Sequence, residues 1–153
     1  MRDFLECQAF VVHLRNEHRQ IHQAIRDIER ELDSVDLPSE QSRICDSFRR
    51  LRATLVEHFK EEEQGGCLEE AVSCVPRLSS EVAEIEKEHA SILELIDHLI
   101  KRSGERLTND FRESFRQFTT ILHAHETAEN RILHTAFGTG EFETEASKSA
   151  YGE

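Results

Sequence analysis

Apolar residues recur along this chain in alternating steps of three and four, over four separate stretches. The first stripe runs Phe4, Cys7, Val11, Leu14, His18, Ile21, Ile25, Ile28, Leu32. The second runs Ile44, Phe48, Leu51, Leu55, His58, Glu62. The third runs Leu78, Val82, Ile85, His89, Ile92, Ile96, Leu99, and the fourth Phe111, Phe115, Phe118, Leu122, His125, Glu129, Ile132, Ala136. Steps of three and four place side chains on one face of an α-helix. Sustained at a heptad-like period, they form the seam along which helices pack in a left-handed bundle.

Punctuation separates the stripes. "DSVDLPSE" (33–40) holds Pro38 and two capping candidates, "QGG" (64–66) stops a second helix, and "VPRLSSE" (75–81) leads into a third. "RSGER" (102–106) ends the third and opens the fourth, and "GTG" (138–140) stops it. These signals predict helices over about residues 3–32, 39–64, 77–102 and 105–137. A short helical piece, "CLEEAVSC", is expected between the second and third. With short connections the economical fold is all-α, an up-down-up-down left-handed four-helix bundle over residues 1–137. Residues 138–153 are polar and aperiodic, and are expected to form a flexible acidic C-terminal tail.

Six seam positions carry strongly polar side chains, and all six are His or Glu: His18, His58, Glu62, His89, His125 and Glu129. No Lys, Arg, Asp, Asn or Gln interrupts a stripe. His58 and Glu62 are four apart, as are His125 and Glu129, so each pair projects from one helix face. The chain thus reads as two helical hairpins of one plan, a single His followed by His-x-x-x-Glu. "NEHRQIHQAI" and "KEHASILELI" share an E-H-x-x-I register around His18 and His89. Counted from the expected helix ends, all four His fall at a similar level along the bundle. Burying a polar group without compensation costs ~1–3 kcal/mol, so six of them rival the whole stability of a domain, ~5–15 kcal/mol. Two offsets are available. One is a mutual hydrogen-bond network. The other is a pair of transition-metal ions held by four imidazoles and two bridging carboxylates, and the matched hairpins favour it.

The residues that carry this plan resemble the hemerythrin-like family, the His-His-Glu cation-binding domains, over about residues 4–137. The matching signatures are "NEH" with His18, "HFKEEE" with His58 and Glu62, "KEH" with His89, and "HETAEN" with His125 and Glu129. The resemblance implies a non-haem centre of two iron ions, each His supplying one nitrogen and both Glu bridging. Oxygen-carrying hemerythrins use a further His on the third helix, four residues before the position matched by His89. Here that residue is Ile85, and the fourth helix carries His-x-x-x-Glu rather than their His-x-x-x-x-Asp. The chain therefore looks closer to the four-His, two-Glu branch, associated with sensing, nitric-oxide or peroxide chemistry and iron handling. Dedicated oxygen transport does not follow.

Several residues near the stripes take other readings. His22, four after His18, is a possible additional ligand, a pocket-lining donor or a satisfied interior His. Glu61 and Glu63 flank Glu62 and would replace it only if the helix register shifted. Glu17 and Glu126 read as solvated, or as partners of the ligands.

Composition narrows the function classes. A net charge of −12, from 19 basic and 31 acidic residues, argues against nucleic acid and anionic membrane as partners. The one basic cluster, "RRLR" (49–52), reads as a solvated helix face. No apolar run reaches the ~18 residues of a membrane span, and the N-terminus lacks a signal-peptide core. Four scattered cysteines (Cys7, Cys45, Cys67, Cys74) read as reduced thiols, which suits a cytoplasmic protein; Cys67 and Cys74, seven apart, read as small core residues. No phosphate loop and no nucleophile motif is present.

Six protein ligands leave open positions on two octahedral ions. The expected function is binding or sensing of O2 or a related small ligand, nitric oxide or peroxide, at the carboxylate-bridged diiron centre. The alternatives are a diiron enzyme (peroxidase, oxidase or nitric-oxide reductase), an iron-handling protein, and a metal-free helical interaction module. The same ligands suit Mn or Zn as well as iron.

Overall fold

The computed structural model describes residues 4–34 and 38–138. Five α-helices follow one another: α1 (Phe4–Asp33), α2 (Pro38–Gln64), α3 (Cys67–Cys74), α4 (Ser79–Ser103) and α5 (Asn109–Phe137). A single 3-10 turn, Pro76–Leu78, joins α3 to α4. Among the described residues there is no strand. The tail expected after residue 138 lies outside them, as does the side chain of Phe4.

The helix ends follow local chemistry. Pro38 opens α2, where a missing N–H costs nothing. Gly66, at φ 79°, and Gly138, at φ 68°, take the left-handed conformation that breaks the chain direction after α2 and α5. The start of α5 differs from the expectation of residue 105. Thr108 is extended, and its side-chain oxygen accepts the Phe111 N–H at 3.1 Å, so the cap fixes the first turn at Asn109. Leu107, read from sequence as helical, instead belongs to the connection and packs against the apolar core.

The stripes are the buried faces. Every seam residue with a described side chain is buried except Ala136, which is half-buried. α1 packs against α2 and α5, and α4 packs against the same two helices. Arg112 at the start of α5 donates to the Leu32 carbonyl near the end of α1, at 2.7 Å. At the other end Gln8 of α1 donates to the carbonyl of Phe137, at 3.1 Å. Gln41 near the start of α2 reaches the Ser103 carbonyl at the end of α4, at 3.2 Å. The basic cluster behaves as expected, with Arg49 and Arg50 exposed and Leu51 buried.

Two apolar clusters make the core. One gathers Ile21, Ile25, Phe48, Leu55, Ile92, Phe115 and Leu122 with their neighbours. The other gathers Cys7, Val11, Leu14, Ile85, Ile132 and Phe137, and is covered by Leu68 and Ala71 of α3. Along α1, α4 and α5 the polar seam residues fall between the two; α2 contributes only to the first cluster, and its His58 and Glu62 lie toward its C-terminal end. Of the cysteines, Cys7 and Cys67 are core residues and Cys45 is half-buried; Cys74 is exposed, contrary to the core role expected of it, and all four are free thiols.

Candidate metal centre

The six polar seam residues converge between the two apolar clusters. His18, His58, Glu62, His89, His125 and Glu129 are all buried, none more than 6% exposed. They fall into two overlapping groups. Glu62, His89, His125 and Glu129 bring one donor atom each within 4.8 Å of one another, and so do His18, His58 and Glu129. The first hairpin thus supplies one imidazole pair and the second hairpin the other.

The carboxylates lie between the pairs. Glu62 Oε1 is 2.9 Å from His58 Nε2 and 3.9 Å from His89 Nε2. Glu129 Oε1 is 3.5 Å from His18 Nε2, and its Oε2 is 4.0 Å from His125 Nε2. Each Glu therefore faces one His of each hairpin. None of these approaches has the geometry of a hydrogen bond, although at 2.9 Å Glu62 Oε1 lies close enough to favour charge on His58. Both oxygens of Glu62, both oxygens of Glu129, and the Nε2 atoms of His89 and His125 are buried with no hydrogen-bond partner. His18 Nε2 and His58 Nε2 do meet, at 3.0 Å. A buried polar atom without a partner costs ~1–3 kcal/mol. A buried set of imidazole nitrogens and carboxylate oxygens facing one another is the donor chemistry of a cation site. The residues present fit a metal centre.

An outer set of carboxylates orients the imidazoles. Glu17 of α1 accepts from His58 Nδ1 at 2.9 Å, Glu63 of α2 from His89 Nδ1 at 3.0 Å, and Glu88 of α4 from His125 Nδ1 at 2.8 Å. A carboxylate can only accept, so each Nδ1 carries a proton. The Nε2 of each ring is then the atom that faces inward. Phe59 stacks on His89, ring centroids 4.1 Å apart, and meets His125 edge-on at 5.6 Å.

Charge is distributed unevenly across the cluster. Burial works against charge on His58, but Glu62 and Glu17 outweigh it and hold its pKa up to about 9. His18 goes the other way. Burial lowers its pKa, and His58 adds to this against the pull of Glu126, Glu62 and Glu17. Burial also lowers His125, against its hydrogen bond to Glu88. Glu126 is only 1% exposed, so the solvated reading of it fails. Burial would raise its pKa, yet the neighbouring His18 and the hydrogen bond from His22 hold it below the ordinary value.

The remaining sequence candidates take separate places. His22 Nε2 sits 2.6 Å from Glu126 Oε2 and belongs to neither donor group. Glu62 alone of its acidic run is buried: Glu61 turns outward to His13 and Glu63 holds His89. The sequence reading missed Phe59 and the specific duties of Glu63 and Glu88. For Glu88 a signal existed, because Glu17 and Glu88 are the Glu of the shared E-H-x-x-I register.

Among known families, the hemerythrin HHE cation binding domain matches residues 1–65, the span of α1 and α2. No curated protein and no solved structure gave a significant match. No helix among the described residues is long and apolar enough to cross a membrane. The first hairpin is thus similar to the hemerythrin HHE cation binding domain, and the buried His and Glu cluster is consistent with that family.

Proposed function

We propose that this chain is a four-His, two-Glu diiron protein that binds or senses O2 or a related small ligand. His18, His58, His89 and His125, together with Glu62 and Glu129, would hold the two ions. The observation that carries this reading is the set of four carboxylate oxygens and two imidazole nitrogens buried without hydrogen-bond partners. A polar network, the competing explanation of the seam residues, would have paired them. The bridging role rests on each Glu facing a His of both hairpins. The helix-end contacts favour an up-down-up-down left-handed four-helix bundle as the frame.

Two ions of this kind, when bound, supply open coordination positions and one-electron redox chemistry. The chain's own residues set the rest. Glu17, Glu63 and Glu88 lock the imidazoles. The apolar residues on either side, Leu14, Leu55, Ile85 and Leu122 among them, keep bulk water away and suit a small uncharged ligand.

Elemental analysis of protein purified without chelator tests the reading. About two irons per chain are expected, with an oxidised charge-transfer band that bleaches on anaerobic reduction. Glu62→Ala and His125→Ala should lose iron, whereas His134→Ala, on an exposed position, should keep it. Equal iron in all three variants would sink the ligand assignment. A reduced protein whose spectrum responds to neither O2 nor nitric oxide would move the function to iron handling. Turnover of peroxide or nitric oxide above free iron would make it an enzyme.

A further inference from the structure

The six residues of the buried centre are sealed from solvent, none more than 6% exposed, and a metal ion has to reach them. Of the four seams between neighbouring long helices, the one between α1 and α5 is the least extensive. A surface cavity of about 370 Å³ opens on that seam, with His22 in its wall beside Ile25, Arg26, Glu29, Thr120 and His123. Behind His22 lies Glu126, its Oε2 2.6 Å from the His22 Nε2. His22 is one turn beyond His18 on α1, and Glu126 is one turn before Glu129 on α5. The pairs His22–Glu126 and His18–Glu129 are therefore successive rungs across the same seam. Side-chain exposure falls from the outer rung, with His22 at 14% and Glu126 at 2%, to the inner, with His18 at 8% and Glu129 at 0%.

Glu126 has an oxygen to spare. It is 1% exposed, its Oε2 is engaged by His22, and its Oε1 is buried with no hydrogen-bond partner. It is also the carboxylate whose charge acts most strongly on His18. A divalent ion entering a protein sheds water at a cost that only oxygen and nitrogen donors offset. The apolar residues that flank the centre, Leu14, Leu55, Ile85 and Leu122, offer none. Glu17, Glu63 and Glu88 stand behind imidazole rings, each already engaged by an Nδ1. At the cavity, Arg26 is turned to Gln23, donating to it at 3.0 Å, and Glu29 supplies negative charge. We propose, on the metal reading of the buried centre, that His22 and Glu126 form a transit site through which a ferrous or similar divalent first-row cation passes between the α1–α5 cavity and that centre. The ion exchanges water for the spare oxygen of Glu126 and the His22 ring, then exchanges these for the residues one turn further in.

Kinetics separate a route from a ligand. Closing a route slows movement in both directions, whereas removing a ligand, or merely loosening the bundle, speeds release. Iron release from the reduced full chain to a chromophoric ferrous chelator gives one rate. Fe(II) uptake by the metal-depleted full chain, timed by the same chelator, gives the other. His22→Leu and Glu126→Leu should each slow both rates by about tenfold or more, because the ion lies nearer these side chains in transit than at rest. Iron bound at saturation should stay at the wild-type level. Uptake at the wild-type rate in either variant, or slowed uptake with release unchanged or faster, overturns the proposal and leaves the metal reading standing. A wild type that takes up no iron overturns the metal reading and this route with it, and that failure shows in the saturation content rather than in the rates.

Discussion

At the scale of single residues, the centre is held by carboxylates that would not themselves touch the buried ions. Glu17, Glu63 and Glu88 each reach from one helix to the Nδ1 of a His on the next. Each therefore fixes the tautomer and the ring direction of a donor and ties two helices together. Glu88 is the clearest case to test, because it is 42% exposed and holds the deeply buried His125 at 2.8 Å. Glu88→Gln keeps the shape but replaces a charged acceptor with an amide that no longer favours the Nδ1–H form. Metal affinity should fall ~10–100-fold, measured by competition against a chromophoric chelator, with helicity unchanged. An affinity equal to wild type would reduce the Glu88 contact to a surface pair.

At the scale of elements, the stripes do two jobs that separate cleanly along each helix. Phe48 belongs to the apolar job. It is 0% exposed and meets Phe111 and Phe115 edge-on, at 5.8 and 5.2 Å between centroids. Phe48→Ala should destabilise the chain by ~3–5 kcal/mol in urea unfolding, yet the folded variant should keep its full metal content. Metal lost in proportion to stability would mean that the aromatic cluster and the centre are one cooperative unit. The sequence made this division legible, since a period of three and four locates a buried face and its exceptions locate the site. It did not reveal Phe59, Leu133, Phe137 or Glu126, which are buried on the flanks of their stripes. A helix seated between two neighbours buries a wider strip than a one-residue seam. Nor did it place the start of α5, because Thr108 was one of several possible caps and only the folded backbone shows which is used. The partner of His22 was hidden for a similar reason: a contact across 104 residues is set by how α1 and α5 meet, not by spacing on either.

At the scale of the whole molecule, the centre is where the two hairpins are held together or pushed apart. Glu62 and Glu129 put two carboxylates, both 0% exposed at the side chain, between imidazoles from both hairpins. Without cations their four oxygens have no hydrogen-bond partner, and two buried carboxylates set against one raised imidazole, His58, leave negative charge uncompensated, which opposes folding. Metal binding to the folded state alone adds stability in proportion to the logarithm of its saturation, ~2.7 kcal/mol at a hundredfold excess over Kd. Removing the metal with a chelator should therefore lower Tm, by ~5–11 °C for a chain of this length. A Glu62→Gln, Glu129→Gln double variant isolates the cause. Its amides remove the negative charge and bring donors of their own, so it should bind little metal and show a Tm indifferent to chelator. It should also melt above the metal-free wild type, because the repulsion between the hairpins is gone. Scanning calorimetry of the four samples decides the matter. A wild type whose Tm ignores chelator, or a double variant that melts below metal-free wild type, would show that the carboxylates are satisfied without a cation and that the hairpins need no metal to close.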